Sequence, residues 1–129
     1  MITKRILKPR RVRSIEGSFG FIPHRFLTDG FLAALGREEL LLYFFLILAS
    51  DRQGLSFYGY DSICSLLKLT LEEYMAARNG LMENDLIAFD GVVFQTLTLP
   101  KEPVLIARDD PAEVRRLIEQ SLKEARHDR

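Results

Sequence analysis

The side chains best suited to binding a ligand in this sequence are cationic, and they lie at its beginning. Ammonium and guanidinium groups gathered on a short segment can neutralise a row of phosphates, with an affinity that falls steeply as salt is added. The alternative is a basic tail that only improves solubility; we prefer phosphate binding. Residues 1–13 contain no acidic side chain and carry six basic ones: Lys4, Arg5, Lys8, Arg10, Arg11 and Arg13.

Residues that could serve catalysis or metal binding are scarce and poorly spaced. His24 and His127 have no cysteine or histidine neighbour at the spacing of metal ligands. Asp109 and Asp110 are better interpreted as the start of a helix than as a catalytic carboxylate pair. The single cysteine, Cys64, excludes an internal disulfide and suits a reducing compartment, where it would be a small buried residue. We therefore predict no enzymatic activity, no cofactor and no metal site.

The charge distribution divides the chain into three parts, although the formal net charge is zero. Between the basic start and the end, residues 37–90 carry four basic and nine acidic side chains, and residues 101–129 carry seven of each. The length of 129 residues suits one domain with its own core. The longest apolar run, residues 40–49, is far shorter than the ~20 residues of a membrane-spanning helix. With no apolar signal core after the basic start, we expect a cytoplasmic protein without a membrane partner.

The first 50 residues predict one long helix, preceded by segments without a clear hydrophobic period. Residues 1–18 read as a flexible or extended basic arm, and residues 16–27 predict an edge strand or an extended segment. Residues 29–36 predict a short helical turn. Residues 37–50 predict a helix that is apolar all round and therefore buried on several sides. Its residues at helical spacing are Leu41, Phe44, Phe45, Leu48 and Ala49.

Four phenylalanines, Phe19, Phe21, Phe26 and Phe31, precede that helix. We interpret them as packing residues, because large apolar side chains are usually buried. The alternative is a stacking surface for single-stranded nucleic acid.

Residues 55–99 predict a strand, two helices joined by a tight turn, and a hairpin. The strand covers residues 55–59, and Asp61 or Ser62 would cap a first helix that buries Ile63, Leu66 and Leu67. Thr70 would cap the second helix, with Glu73 completing a capping box. The Asp90-Gly91 pair predicts a hairpin with a two-residue turn. The inner face of the second helix would consist of Tyr74, Ala77 and Leu81, with Met82 at its margin.

This order of elements resembles the winged helix-turn-helix family. Ile63, Leu67 and Leu69 match the apolar positions of its helix-turn-helix corner, Thr70 matches its cap, and "ENDLIAF" matches the turn into the wing. Residues 19–50 also resemble, more loosely, the lead-in of winged helices in bacterial replication initiators and primosome-type proteins. The resemblance implies an α+β, mainly α fold with a two-stranded wing. Its domains would be a basic arm at 1–18, a winged helix at 19–100, and a linker with an added helix at 101–129.

The resemblance also implies duplex DNA binding, with the helix from Thr70 to Asn84 in the major groove. Asn79 could pair with adenine and Glu72 could accept from cytosine, whereas Lys68 and Arg78 could reach phosphates. No outward position at the start of the helix supplies the arginine or lysine that usually reads guanine. The basic arm should therefore carry most of the electrostatic attraction. The DNA-contacting residues outside the arm would be Lys68, Thr70, Glu72, Met75, Arg78 and Asn79.

A final amphipathic helix is predicted from Pro111 to about Arg126, and it could pack on the chain's own first long helix or on a second copy. The long charged linker before it favours a homodimer. We thus expect a small regulator, or an accessory protein of replication or of a mobile element, whose partners are duplex DNA, a second copy and another replication or regulatory protein. The alternative is a protein-interaction module whose acidic helix face docks a partner. The predicted dimer residues are Val114, Leu117, Ile118 and Leu122.

Overall fold

The computed structural model describes residues 2–104, whose centre is a 13-residue helix. Two short helices, α1 (Arg25–Thr28) and α2 (Phe31–Ala34), lead into that central helix, α3 (Arg37–Ala49). Strand β1 (Leu55–Ser56) and helices α4 (Tyr60–Leu67) and α5 (Leu71–Glu83) follow. Strands β2 (Ile87–Phe89) and β3 (Phe94–Thr96) are the last elements within residues 2–104. The fold is α+β and mainly helical, and the predicted order of strand, helix, turn, helix and hairpin is confirmed.

The strands form one small antiparallel sheet in the order β1-β3-β2. In the hairpin, Phe89 is the register partner of Phe94, and on the other side of β3 Ser56 is also paired with Phe94. The hairpin is therefore extended by β1 to three strands. The predicted strand at residues 55–59 is longer than the observed one, because Phe57 and Tyr58 leave the sheet toward α4.

The core lies where α5 packs against α3 and α4 and where the hairpin closes the end of that layer. Tyr74, Ala77 and Leu81 of α5 are all buried, so the predicted inner face is confirmed. Met82 is 39% exposed and lies outside the core. The remaining buried apolar residues are Phe26, Phe31, Leu35, Leu42, Tyr43, Leu46, Ile47, Ile63, Leu86, Ile87 and Phe94.

The start of α5 has the predicted capping box. The Thr70 hydroxyl accepts a hydrogen bond from the Glu73 N–H at 3.0 Å, and the Glu73 carboxylate accepts one from the Thr70 N–H at 2.9 Å. The predicted cap of α4 was wrong: the cap is Gly59, and no side chain caps that helix. Of the residues that α4 was expected to bury, Ile63 is buried, whereas Leu66 is 62% exposed. The helix starts before Asp61 and Ser62, with the Asp61 carboxylate accepting from the Ser62 N–H.

Helix α3 is buried on one side only, which corrects the prediction that it is buried on several. Its core-facing residues are Leu42, Tyr43, Leu46 and Ile47, and burial raises the pKa of Tyr43. The opposite side carries Leu41, Phe44 and Leu48, which are 39%, 56% and 60% exposed. A helix with apolar residues all round has no polar face to mark its solvent side, so sequence alone could not orient it.

The hairpin turn also differs from the predicted two-residue turn. Because Phe89 pairs with Phe94, the loop contains four residues, 90–93. The Asp90 carboxylate accepts hydrogen bonds from the N–H groups of Val92 at 2.9 Å and Val93 at 2.7 Å. These backbone hydrogen bonds lower the pKa of Asp90, because they favour the ionised carboxylate. The Asp90 side chain therefore stabilises the loop by accepting hydrogen bonds from two of the loop's N–H groups.

A close approach of α3 and α5 occurs at Gly80. A Cβ atom at this position would collide with the carboxylate of Glu39, whose Cδ would lie 2.8 Å away. Glu39 in turn accepts a hydrogen bond from the Gly36 N–H at 2.7 Å, at the start of α3. The side chain of Asn84 donates to the Gly80 carbonyl at 2.7 Å and ends α5. These contacts lie where α3 and α5 cross.

The segment before α1 meets the domain at Gly20. A Cβ at Gly20 would lie 2.5 Å from the carbonyl oxygen of Ile47, so only glycine lets the chain pass this close to α3. Residues 19–23 form neither helix nor strand, so the predicted edge strand is not observed. Phe26 and Phe31 are buried as predicted, whereas Phe19 and Phe21 are not, being 63% and 74% exposed.

Arg25 connects α1 to the segment that follows β3. The guanidinium of Arg25 donates to the carbonyl oxygens of Pro100 at 2.7 Å and Lys101 at 3.1 Å, and it pairs with Asp29 at 3.1 Å. The predicted helix from Pro111 to Arg126, with Val114, Leu117, Ile118 and Leu122, lies outside the described residues. None of the helices in residues 2–104 has the length and apolar character that crossing a membrane requires.

Candidate nucleic-acid interface

The basic arm is exposed along its whole described length. Residues 9–11 form a short 3-10 turn that begins with Pro9, and it places Arg10 and Arg11 at its end. Within residues 2–104 the one salt bridge joins Arg25 to Asp29, so the arm makes none with this part of the chain. The exposed cations are Lys4, Arg5, Lys8, Arg10, Arg11 and Arg13.

The turn between α4 and α5 presents a cation beside the α5 cap. Lys68 is exposed and adopts a left-handed conformation, with φ of 58° and ψ of 46°. The Leu69 N–H then donates to the Cys64 carbonyl at 3.0 Å and closes the turn. Cys64 itself is half-buried, less enclosed than predicted, with its sulfur 3.9 Å from the Thr70 carbonyl oxygen. The geometry leaves the Lys68 ammonium available to a phosphate near the start of α5.

The left-handed backbone at Lys68 allows its charge and its structural role to be separated. A Lys68→Gly variant should fold with unchanged or slightly higher stability, because a non-glycine residue in this region costs about 1–2 kcal/mol. The same variant should lower the salt slope of DNA binding by about one unit if the ammonium contacts a phosphate. Chemical unfolding and a binding titration measure the two effects. Unchanged affinity and salt slope would remove Lys68 from the interface.

The outward side of α5 is apolar and acidic. Leu71 and Met75 are 49% and 43% exposed, one helical turn apart, and Glu72 lies between them. Asn79 is exposed one turn further on. Residues 60–96 as a whole carry two basic and six acidic side chains. Residues 60–96 therefore carry a net charge of −4 (two basic minus six acidic side chains).

Arg78 is held between α5 and the hairpin. Its guanidinium carbon lies 5.1 Å from the ring centroid of Phe89 and 5.6 Å from that of Tyr74, within the range of cation–π attraction. It also donates to the side-chain oxygen of Asn79 at 3.3 and 3.4 Å. A bidentate contact of Asn79 with adenine needs that oxygen as an acceptor. Arg78 therefore occupies one of the two acceptor positions of that oxygen, and its ring contacts assign it to the junction of α5 with the hairpin.

The predicted site residues fall into two groups. Those from Lys68 to Asn79 lie in α5 and in the turn before it; we call α4, this turn and α5 (residues 60–83) the helix-turn-helix unit. The arm cations lie on a separate segment that meets the domain at Gly20. Sequence reasoning missed the exposure of Phe19 and Phe21 beside this contact. The signal that could have found it is the glycine between two aromatics, which permits a close backbone approach.

Comparison of the chain with protein-family models, with curated proteins and with solved structures found no match. Within residues 2–104, no three or more histidine, cysteine, aspartate or glutamate side chains gather closely enough to hold a metal ion.

Proposed function

We propose that the protein binds duplex DNA, as a small regulator or as an accessory protein of replication or of a mobile element. It acts by occupying DNA and not by catalysis. The observation that carries this proposal is the run of six exposed cations in residues 4–13, attached to a domain that contains a helix-turn-helix unit. No acidic side chain interrupts this run.

The arm supplies the attraction in this mechanism. Six phosphate contacts give a salt slope of about five, equivalent to a loss of about 10³ in affinity between 50 and 200 mM salt. Basic arms next to helical readers can enter the minor groove, which would leave the domain over the adjacent major groove. The arm thus compensates for the acidic side chains of residues 60–96.

A winged-helix assignment is part of the proposal. It is supported by the order β1, α4, α5, β2 and β3, and by the pairing of β1 with the hairpin. It is also supported by the buried inner face of α5, which leaves the other side of that helix exposed. In this assignment α5 is the helix that enters the groove and the hairpin is the wing.

The position of Glu72 provides a test of whether α5 faces DNA. If it does, Glu72→Gln should strengthen binding by about fivefold at low salt, because charges ~4 Å apart in water interact by about 1 kcal/mol. The matched control is Glu83→Gln, which removes the same charge from the last turn of the same helix. Titration of a labelled duplex measures both variants. Equal affinities for the wild type and both variants would show that α5 does not approach DNA; absence of any duplex binding by the wild type would reject the proposal itself.

A second candidate function is favoured by the exposed Leu71 and Met75. These apolar side chains, flanked by Glu72, would suit a partner protein with an apolar and basic surface. Met75→Lys distinguishes the two functions, since an added cation strengthens DNA binding but disrupts an apolar contact. A pull-down from lysate with and without nuclease provides the complementary comparison: partners lost after nuclease treatment were held through DNA.

We also propose that the protein is a homodimer through the predicted C-terminal helix. A dimer places two weak readers in one molecule and raises their effective concentration on a paired site. The exposed face of α3, formed by Leu41, Phe44 and Leu48, is the other available packing surface for that helix.

The dimer can be tested by placing charges on the predicted apolar stripe. Leu117→Lys combined with Leu122→Lys should halve the mass measured by light scattering at micromolar concentration. The control is Arg115→Gln with Lys123→Gln, which changes side chains elsewhere around the predicted helix. A wild-type monomer that loses stability when the stripe is changed would reject the dimer and favour packing on α3. A wild-type monomer unaffected by the change would reject both arrangements.

A further inference from the structure

Two exposed phenylalanines flank the point where the N-terminal segment touches the domain. Phe19 and Phe21 are 63% and 74% exposed, which is unusual for residues of this size and polarity. Gly20 between them is partly buried against Ile47, while every other residue from 11 to 24 is exposed. The contact at Gly20 therefore holds the backbone in place and leaves both rings in solvent.

The local geometry explains why the rings are exposed. Alternate residues of a non-helical, extended chain face opposite sides. Gly20 faces the Ile47 carbonyl, so its two neighbours face away from α3. Residues two apart are separated by at most about 7 Å when the chain is fully extended. Because stacked bases lie about 3.4 Å apart, that limit leaves room for one base between two rings, and a smaller separation leaves one base on the outer face of each ring.

The chemistry around the pair selects a ligand. The six cations of residues 4–13 precede the pair in the chain and have no acidic side chain among them; residues 14–18, which include Glu16, separate them from Phe19. A cationic track beside exposed aromatic rings is the composition that binds single-stranded nucleic acid, in which phosphates meet the charges and unpaired bases stack on the rings. Bases inside a duplex are already stacked on each other and cannot use these rings.

We propose that Phe19 and Phe21 form a stacking site for unpaired bases and that, together with the basic arm, they bind single-stranded DNA. This inference rests on the proposed function in that the same arm contacts the phosphates. It adds that the protein can hold a strand separated from its complement, as at the edge of an opened duplex. The helix-turn-helix unit is not required for this activity.

The experiment compares a deoxythymidine homopolymer with a duplex of the same length, using the full chain. Phe19→Leu with Phe21→Leu keeps two exposed apolar side chains but removes the aromatic faces. This variant should bind the homopolymer about tenfold or more weakly per stacked base lost, while its duplex affinity and salt slope stay unchanged. The matched control is Phe57→Leu, because Phe57 is 73% exposed but lies after β1 and away from the arm in sequence. That control should bind both ligands as the wild type does.

A fluorescent probe gives an independent readout of stacking. The chain contains no tryptophan, so Phe21→Trp introduces a single indole. Stacking of thymine on this indole should quench its fluorescence in proportion to binding, and the duplex should leave it unquenched. Equal homopolymer affinity for the wild type and the double leucine variant, or unquenched tryptophan on a saturated homopolymer, would overturn the stacking site while leaving duplex binding by the arm intact. A wild-type protein that binds the duplex but not the homopolymer would also overturn the stacking site. A wild-type protein that binds neither ligand would reject the proposed function as well.

Discussion

Replacing the six basic residues of the arm with glutamine should weaken duplex binding by at least about 100-fold at low salt. The salt slope should fall by about five units, since each phosphate contact contributes about 0.9. The change should be similar for unrelated DNA sequences, because phosphate contacts carry no base information. Stability should change little, because the arm residues are exposed. The six residues are Lys4, Arg5, Lys8, Arg10, Arg11 and Arg13.

A pairwise control separates the position of the charges from their number. Arg10→Gln with Arg11→Gln removes two positive charges from the arm, and Arg52→Gln with Lys101→Gln removes two exposed ones from elsewhere. The first pair should lower the salt slope by about two units and the second should leave it nearly unchanged. Equal effects from both pairs would mean that overall charge, and not the arm, governs binding.

The second large effect concerns the core. Leu81→Ala should lower the free energy of unfolding by about 2–5 kcal/mol, because Leu81 is fully buried and truncation leaves a cavity. Its neighbour Met82 is the matched control: it is 39% exposed, so Met82→Ala should cost about 0.5 kcal/mol or less. Urea unfolding monitored by circular dichroism measures both variants.

The comparison tests the orientation of α5 that the functional proposal needs. If Leu81 faces the core, then Leu71, Met75 and Asn79 face outward and are available to a ligand. A larger loss of stability for Met82→Ala than for Leu81→Ala would mean that the helix is rotated and that its proposed outward side is buried.

The parts of the fold that sequence predicted well depend on local interactions. The capping box of Thr70 and Glu73 involves residues three apart, and the buried positions of α5 repeat with the helical period. Each signal is complete within a few residues, so no knowledge of distant contacts is needed.

The parts that sequence missed depend on tertiary contacts. The solvent side of α3 is decided by what packs on Leu42 and Leu46, because its own pattern is apolar all round. The close contact at Gly80 is made by the Glu39 carboxylate, which lies on another helix. The hairpin loop has four residues and not two, because the Asp90 carboxylate accepts hydrogen bonds from the Val92 and Val93 N–H groups. The Asp-Gly pair alone does not indicate which of these two loop lengths forms.

The candidate site shows the same division. Charge counting found the arm, since a run of cations is visible without a structure. It could not place Arg78 against Phe89 and Tyr74, because those three residues meet only when the hairpin folds onto α5. Nor could it show that Gly20 fixes Phe19 and Phe21 in solvent, because the partner of Gly20 is the distant Ile47.

Titration of isotope-labelled protein with a short duplex, followed by amide chemical shifts, tests the central claim most directly. We expect the largest shifts in two places: the arm from Lys4 to Arg13, and the turn and first half of α5 from Lys68 to Asn79. Amides of the exposed α3 face, such as those of Leu41 and Leu48, should stay unchanged. Shifts confined to α3, or no shifts at low salt, would contradict DNA binding by the arm and the helix-turn-helix unit.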